Sequence, residues 1–405
     1  MQQETKKYLA ALSGVPFIMV LGNSLIIPAF PEIQSQLQIS QLQVGLLVTV
    51  FSVAAGITIP IVGFISDKVG RKPVLIVATT LYAIGGLICG LAPILSENPY
   101  SWLLFGRGVK GLGAGGTGPI AMALAGDLFQ SGERSEAMGV LEAANGLGKV
   151  VSPILGAILV VWIWYSVFFV YTIFSAPIAI LLALVLKEPK KKGDSVSRNE
   201  KGYFGRIISV FSEKYHVLLS TYLAGFIVLF ALFGTLSYLS DILETRYNLI
   251  GASKGFVLAL PVVVMAITSY TTGHIVQSKK FMGKLVVLGL LISFLAKIEI
   301  IVFLDNNYAL FTGIIFIGIG TGLVLTSVNT LVTSTASGKA RGGITALYGS
   351  VRFFGVAFGP PAYGLLVEYS RMVMFGSAGL ALIIIMILNV VMIKFKLNAE
   401  LKLDS

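Results

Sequence analysis

Ionisable side chains placed inside long apolar runs are the residues of this chain best suited to chemistry. Glu142, Asn145 and Lys149 stand at i, i+3 and i+7 and share one helix face. Seven residues span about 10.5 Å along a helix, so Glu142 and Lys149 act as separate contacts and not as a direct bridge. Arg107 and Lys110 occupy adjacent turns of an earlier run, and Arg352 lies in a later one. A charge at the centre of a bilayer costs at least about 2.5 to 3.5 kcal/mol unless it meets water or a partner. A carboxylate so placed can take up and release a proton, with burial and neighbouring cations moving its acidity in opposite directions. Glu142 is thus the candidate proton carrier; a structural carboxylate paired with a cation is the competing reading. Arg107, Lys110, Lys149 and Arg352 outnumber Glu142, an excess of positive charge that suits an acidic amphipathic ligand better than a lipophilic cation.

These side chains must be carried by membrane-spanning helices. Of the 405 residues, 56% are hydrophobic and only 12% charged, which excludes an ordinary water-soluble fold. Apolar runs of spanning length lie near residues 9–31, 43–65, 74–95, 101–124, 136–160 and 165–186. Six more lie near 216–238, 253–276, 284–304, 308–333, 343–367 and 373–394. Twelve spans of ~20 residues would use ~240 and leave short connections. The first run is too long for the core of a cleaved signal and lacks a small-residue cleavage site, so it reads as an uncleaved span.

The net charge of +11 would raise nucleic-acid binding in a soluble protein, but these charges lie in loops between apolar runs. No nucleic-acid partner is expected. The single Cys89, with His216 and His274 far apart, offers no disulfide and no metal set; no cofactor is expected. Gly111-Leu-Gly-Ala-Gly-Gly116 fits the G-x-G-x-x-G pattern of dinucleotide folds, which needs a preceding strand and a helix beginning at the glycines. Here the run sits inside an apolar helix, and its use is close helix packing, with Gly111 and Gly115 one turn apart.

Lys and Arg positions set the orientation. Twenty-two fall in the termini and alternate loops, three (Arg246, Lys254 and Arg371) on the opposite side, and five inside the runs, accounting for all 30. Both termini are therefore expected in the cytoplasm. The polar stretch within 187–215 divides the spans into bundles 1–186 and 216–405. Its Lys190, Lys191 and Lys192 read as a topology signal on a solvated loop, with anionic lipid headgroups as an alternative partner. A shift of 207 residues superposes Gly106, Gly111, Gly113 and Gly115 on Gly313, Gly318, Gly320 and Gly322. The same shift pairs Arg134 with Arg341, Gly148 with Gly355 and Pro153 with Pro360, and a shift of 210 pairs Gly63 with Gly273. Such duplication suits a site between two pseudosymmetric bundles.

Several motifs together resemble the major facilitator superfamily. Gly63-Phe-Ile-Ser-Asp67-Lys-Val-Gly70-Arg71-Lys72 is similar to its signature loop between the second and third spans. Leu103–Gly116 looks like its fourth-span motif, with Lys110 where a glutamine is usual. In the fifth span Gly139, Gly148, Ser152-Pro153 and Gly156-Ala157 keep the spacing of its antiporter motif, with Ser152 and Ala157 replacing glycines. Gly22-x5-Pro28-x2-Pro31 resembles the twelve-span drug/proton antiporters.

The resemblance implies an all-α membrane protein of twelve helices in two six-helix bundles, exporting drugs or a metabolite such as an acidic siderophore against a proton gradient. It implies a multi-pass protein of the cell membrane whose partners are small-molecule substrate, protons and lipid; a monomer is expected. By resemblance the fourth, fifth and eleventh spans line the cavity, giving Lys110, Asn145, Lys149 and Arg352 substrate contacts and Arg107 the permanent charge that favours deprotonation. Asp67 would cap the eleventh span, Arg71 would pair with Asp127, and Gly70 would permit the tight turn, a gate worth roughly 0.3 to 1 kcal/mol per helix-end carboxylate. Topology determinants alone are the plainer account of that loop. Its second-half counterpart has Gln277 in place of Asp67, so the latch is expected to be one-sided. Gly111, Gly115, Gly148 and Gly156 serve packing, while Pro153, like Pro28, Pro31 and Pro360, is a hinge or a kink. Lys297 and Glu299 lie toward the outer end of a peripheral span and are expected to snorkel. A proton-coupled importer of a nutrient is the alternative; a membrane-embedded enzyme is remote, for want of a nucleophile with its base or a metal motif.

Overall fold

A computed structural model describes residues 3–129, 131–187, 200–275, 279–303, 306–335 and 338–403. No strand occurs among them. The first helices are α1 (Gln3–Ser24), α2 (Phe30–Leu37), α3 (Gln41–Val69), α4 (Arg71–Leu95), α5 (Pro99–Gly115), α6 (Gly118–Leu128), α7 (Ser131–Val160) and α8 (Ser166–Val185). They are followed by α9 (Glu200–Glu213), α10 (Tyr215–Thr245), α11 (Gly251–Ile275), α12 (Lys279–Val302), α13 (Asn307–Thr335), α14 (Gly338–Val367) and α15 (Arg371–Leu403). Among the described residues, ten stretches are long and apolar enough to cross a membrane. Many apolar side chains face outward, among them Leu95 at 76% and Leu184 at 79% exposure. A surface of that kind is stable against hydrocarbon and not against water.

Two of the expected spans take a different form from a plain spanning helix. The run 101–124 is divided into α5 and α6 by a turn at Gly116 and Thr117, whose N–H groups bond Gly113 and Ala114. Pro119, in the first turn of α6, has no N–H to offer Gly115, so the helix cannot run straight through. The run 343–367 lies within α14, whose interior holds the Pro360–Pro361 pair. Neither stretch is among the ten. Of the linker expected at 187–215, residues 188–199, with Lys190, Lys191 and Lys192, lie outside the described residues, and 200–213 form α9. Gln277 also lies outside them.

The prolines of the first run determine its shape. α1 stops at Ser24, a 3-10 turn covers Ile27–Ala29, and α2 resumes at Phe30. Pro28 and Pro31 lack the N–H groups that would bond the carbonyls of Ser24 and Ile27 in a continuous helix. The Ile27 carbonyl accepts instead from the Ser240 hydroxyl at 2.7 Å. Of the hinge and kink readings of these prolines, the structure shows a break filled by side-chain donors.

The chain forms two compact units. The first comprises Met1–Ser195 with Leu236–Ala259, and the second Val196–Thr235 with Leu260–Ser405. Residues 236–259, expected with the second bundle, pack with the first unit. The core of the first unit joins Leu12 and Val15 of α1, Leu75 of α4, Leu124 of α6, Leu141 of α7 and Leu182 of α8.

Glycines let the helices approach. A Cβ on Gly113 would lie 2.5 Å from the Ala78 carbonyl of α4, and one on Gly115 2.9 Å from the Ala55 carbonyl of α3. Gly111 faces the backbone of Phe51 in the same way, so α5 is wedged between α3 and α4. In the second unit Gly318, Gly320 and Gly322 do the same against the carbonyls of Pro261, Gly289 and Met265, at 2.5, 2.5 and 2.7 Å. The shift of 207 residues thus relates positions with the same packing task inside each unit. The run resembling a dinucleotide fingerprint closes α5; Gly111, Gly113 and Gly115 pack against neighbouring backbone, and Gly116 faces the Ala78 and Val62 side chains.

Candidate functional site

α5 carries Arg107 and Lys110 on adjacent turns, and both are fully buried in the first unit. Arg107 donates from Nε to the Leu47 carbonyl at 2.8 Å, from one terminal nitrogen to the Gly22 carbonyl at 2.7 Å, and from the other to Asn23 Oδ1 at 2.6 Å. Asn23 is oriented in turn by donating to the Ser52 hydroxyl at 2.7 Å. Lys110 Nζ donates to the same Gly22 carbonyl at 3.2 Å and lies 2.7 Å from the centre of the Tyr171 ring. Tyr171 donates its hydroxyl to Gly22 as well, at 3.2 Å, and Tyr82 donates to Ile18 at 2.7 Å.

The physical cause lies in the end of α1. Carbonyls of a last helical turn lack intrahelical partners and form the negative end of the helix dipole. Because the chain breaks before Pro28, Gly22 presents its oxygen to two cations and a phenol. No carboxylate among the described residues bonds either cation. Lys110, expected at a cavity wall, is instead enclosed by Phe51, Tyr82 and Tyr171. Asn23 was not among the expected site residues, although an amide within an apolar run was a visible signal.

Glu142 is exposed on α7, with Asn145 and Lys149 half-buried. On the same helix, a Cβ on Gly148 would meet the Phe17 carbonyl at 2.9 Å, and Gly156 fits closely against the backbone of Leu25, in the turn that follows α1. Arg352, on α14 of the second unit, lies over the Tyr348 ring at 5.6 Å, and its buried Nε has no hydrogen bond.

The junction of α3 and α4 is a single residue, Gly70, at φ 116° and ψ 150°, a backbone state that favours glycine. It lets α4 start at Arg71 immediately. Arg71 pairs with Asp127 at 2.6 Å and with Asp67 at 3.6 Å, and donates to the Ala123 carbonyl. Burial pushes the Asp127 carboxyl up from its usual range, against the pull of Arg71 beside it. Lys72 ties the start of α4 to the end of α8 through the Leu186 carbonyl, at 2.5 Å.

Two further lysines are buried. Lys254, counted on the side opposite the termini, is 1% exposed and donates to the Pro28 carbonyl at 2.9 Å and to Glu244 at 2.7 Å. Gly255 beside it brings α11 against Pro153 and Ile154 of α7. Lys297, expected to snorkel, is fully buried and donates to Thr235 Oγ1 at 2.5 Å. Snorkelling is overturned because Tyr363 and Phe375 close over the amine. Its neighbour Glu299 is half-buried and accepts from the Thr312 hydroxyl at 2.6 Å.

Residues 12–360, and separately 252–402, match the family described as Major Facilitator Superfamily. The chain is 35% identical over 372 residues to the bacillibactin exporter of Bacillus subtilis (strain 168), covering 91% of this chain and 92% of that protein. It is 29% identical over 371 residues to the multidrug efflux protein YfmO of the same organism, covering 90% and 87%. A solved bacterial homologue of the human lysosomal transporter Spinster, in an inward-facing and occupied conformation, shares the fold. Its TM-score is 0.78 over 97% of this chain and 98% of that one, at 17% identity. With its spanning helices, its outward apolar surface and a family match over most of its length, the chain is a multi-pass membrane protein and belongs to the major facilitator superfamily.

Proposed function

We propose that this protein is a proton-coupled antiporter that exports acidic amphipathic small molecules across the cell membrane by alternating access. The observation that carries this reading is the similarity, over nine-tenths of the chain, to a bacillibactin exporter and a multidrug efflux protein. The proposed topology is twelve spans in two six-helix bundles, 1–186 and 216–405, with both termini cytoplasmic and the chain acting as a monomer. α5 with α6, and α14, supply the two spans beyond the ten that qualify on length and apolarity.

Glu142, exposed on α7, is the proposed proton carrier, and Arg107 the fixed charge that favours its deprotonation. Lys149 and Arg352, with Asn145 as a neutral hydrogen-bonding contact, are the proposed substrate contacts, and the positive charge of Lys110, enclosed by its aromatic rings, adds to the bias toward anions. Asp67, Gly70, Arg71 and Asp127 form the cytoplasmic gate, and Gly111, Gly115, Gly148, Pro153 and Gly156 keep the helices close enough to slide. The buried cations support the preference for acids, since Arg107 and Lys110 bond only neutral acceptors.

The test is energised uptake into inverted vesicles of paired anionic and cationic dyes, for the wild type and Glu142→Gln. An acid-inside gradient should drive anionic dye inward, and Glu142→Gln should abolish that drive while dye binding remains. Preference for the cationic dye would remove the acidic-substrate reading. Coupling that persists in Glu142→Gln would remove Glu142, and a gradient driving the dye the other way would indicate an importer.

A further inference from the structure

The second unit buries a lysine that is short of acceptors. Lys297 of α12 is fully buried, with Thr235 of α10, Tyr363 of α14 and Phe375 of α15 buried around it. Its Nζ donates to Thr235 Oγ1 at 2.5 Å and lies 5.3 Å from the centre of the Tyr363 ring and 5.1 Å from that of Phe375. Thr235 uses its own hydroxyl proton on the Ala231 carbonyl, at 2.6 Å, so its oxygen serves the lysine only as an acceptor. The Tyr363 hydroxyl stands beside the same threonine but completes no hydrogen bond.

An ammonium has three N–H donors and a tyrosine one O–H. One of these four donors is satisfied, and among the described residues no carboxylate and no second acceptor bonds the cluster. A buried charge without a counter-ion, and a buried hydroxyl without a partner, are both costly. The first unit handles the same problem differently: Arg107 fills its donors with two carbonyls and the Asn23 amide oxygen. Gly22-Asn23 near the end of α1 and Gly234-Thr235 in α10 are alike in sequence, so each unit directs a cation at the residue after such a glycine. Lys110 of the first unit likewise makes one hydrogen bond, to the Gly22 carbonyl, and is enclosed by three aromatic rings where Lys297 has two.

We propose that Lys297, Tyr363 and Thr235 form an oxyanion subsite in the second unit, taking one carboxylate or phenolate group of an acidic amphipathic compound. One such oxygen accepts from both Lys297 and Tyr363 and neutralises the ammonium. The rings of Tyr363 and Phe375 supply an apolar wall for the remainder of the compound. The proposal rests on the acidic-substrate part of the proposed function and is independent of transport direction and of proton coupling.

The test is equilibrium binding of salicylate, an aromatic carboxylate, to the full-length protein in lipid nanodiscs by titration calorimetry. Salicyl alcohol is the uncharged counterpart. The wild type should prefer salicylate. Lys297→Met should weaken salicylate about tenfold or more, the loss expected for a charged hydrogen bond, and leave the alcohol unchanged. Lys297→Arg should keep the preference, and Tyr363→Phe should weaken salicylate several-fold. Wild-type salicylate affinity in Lys297→Met overturns the subsite and leaves the acidic-substrate reading intact; a wild type without preference for salicylate removes both. If Lys297→Met does not elute as a monodisperse species, Tyr363→Phe decides, and unchanged salicylate affinity there overturns the proposal.

Discussion

Lys254 donates to the backbone carbonyl of Pro28 at 2.9 Å while it pairs with Glu244 at 2.7 Å, so one buried amine joins α11, α10 and the broken end of α1. Asp241 and Glu32 add further negative charge around it. Lys254→Met removes both bonds and leaves the Pro28 carbonyl without its donor. Loss of hydrogen bonds to a charged group costs roughly 1.5 to 3 kcal/mol each. In a Cys89→Ala background with a reporter at Ser24→Cys, a membrane-impermeant maleimide should label the Lys254→Met protein several-fold faster than its Lys254 parent. Equal rates would show that the bonds do not hold this end of the unit shut.

Glycine substitutions should divide by what surrounds them. Gly113→Ala places a methyl 2.5 Å from the Ala78 carbonyl and 2.6 Å from the Tyr82 amide, so α5 and α4 must part. Overpacking of this kind costs about 1 to 3 kcal/mol. Gly139→Ala and Gly146→Ala meet nothing within 4 Å and gain about 0.5 to 1 kcal/mol from helix propensity. Thermal unfolding in detergent should move down for the first and up for the other two.

Arg107→Lys retains the charge yet cannot reach Leu47, Gly22 and Asn23 together, because the three bonds use the guanidinium fork. Thermal stability should fall by about 2 to 4 kcal/mol. Normal stability with lost proton coupling would show instead that Arg107 acts on the coupled step rather than on packing.

Asp127 is an exception among paired carboxylates, since burial raises its pKa even beside Arg71. A raised folded-state value means that ionisation of Asp127 opposes folding as pH rises through it, and that protonation on acidification relieves the cost. Asp127→Asn should therefore change thermal stability at neutral pH by less than about 1 kcal/mol, while removing the acid-side pH dependence of the Arg71 contact. Melting curves between mildly acidic and neutral pH, compared for the wild type and Asp127→Asn, check this. A large loss of stability confined to neutral pH would contradict it.

What the sequence revealed was whatever depends on spacing along one element. Glycine periodicity in α5 and α13 foretold close helix approach, because a missing Cβ has the same effect wherever a neighbour crosses. Gly70 foretold a tight junction, and the resemblance led to the contact between Arg71 and Asp127. Side-chain direction was less accessible. The i, i+3, i+7 spacing put Glu142, Asn145 and Lys149 on one face of α7, but which face another helix covers is set by tertiary packing. Lys297 read as snorkelling, and the burial of Lys254 went unforeseen, because their partners, Thr235 and Pro28, are 62 and 226 residues away. The carbonyls near Pro28 depended on how the prolines broke α1, which the sequence left as hinge or kink.

Every acceptor that holds Arg107 precedes it in the chain: Gly22, Asn23 and Leu47. During synthesis, α1 and α3 are therefore already available when α5 leaves the ribosome with two charges, each of which disfavours insertion by about 2.5 to 3.5 kcal/mol. The earlier helices act as an internal chaperone for the later one. A circular permutant that moved α1 behind α5 would leave the arginine without partners at the moment of membrane entry, although the finished protein would contain the same contacts.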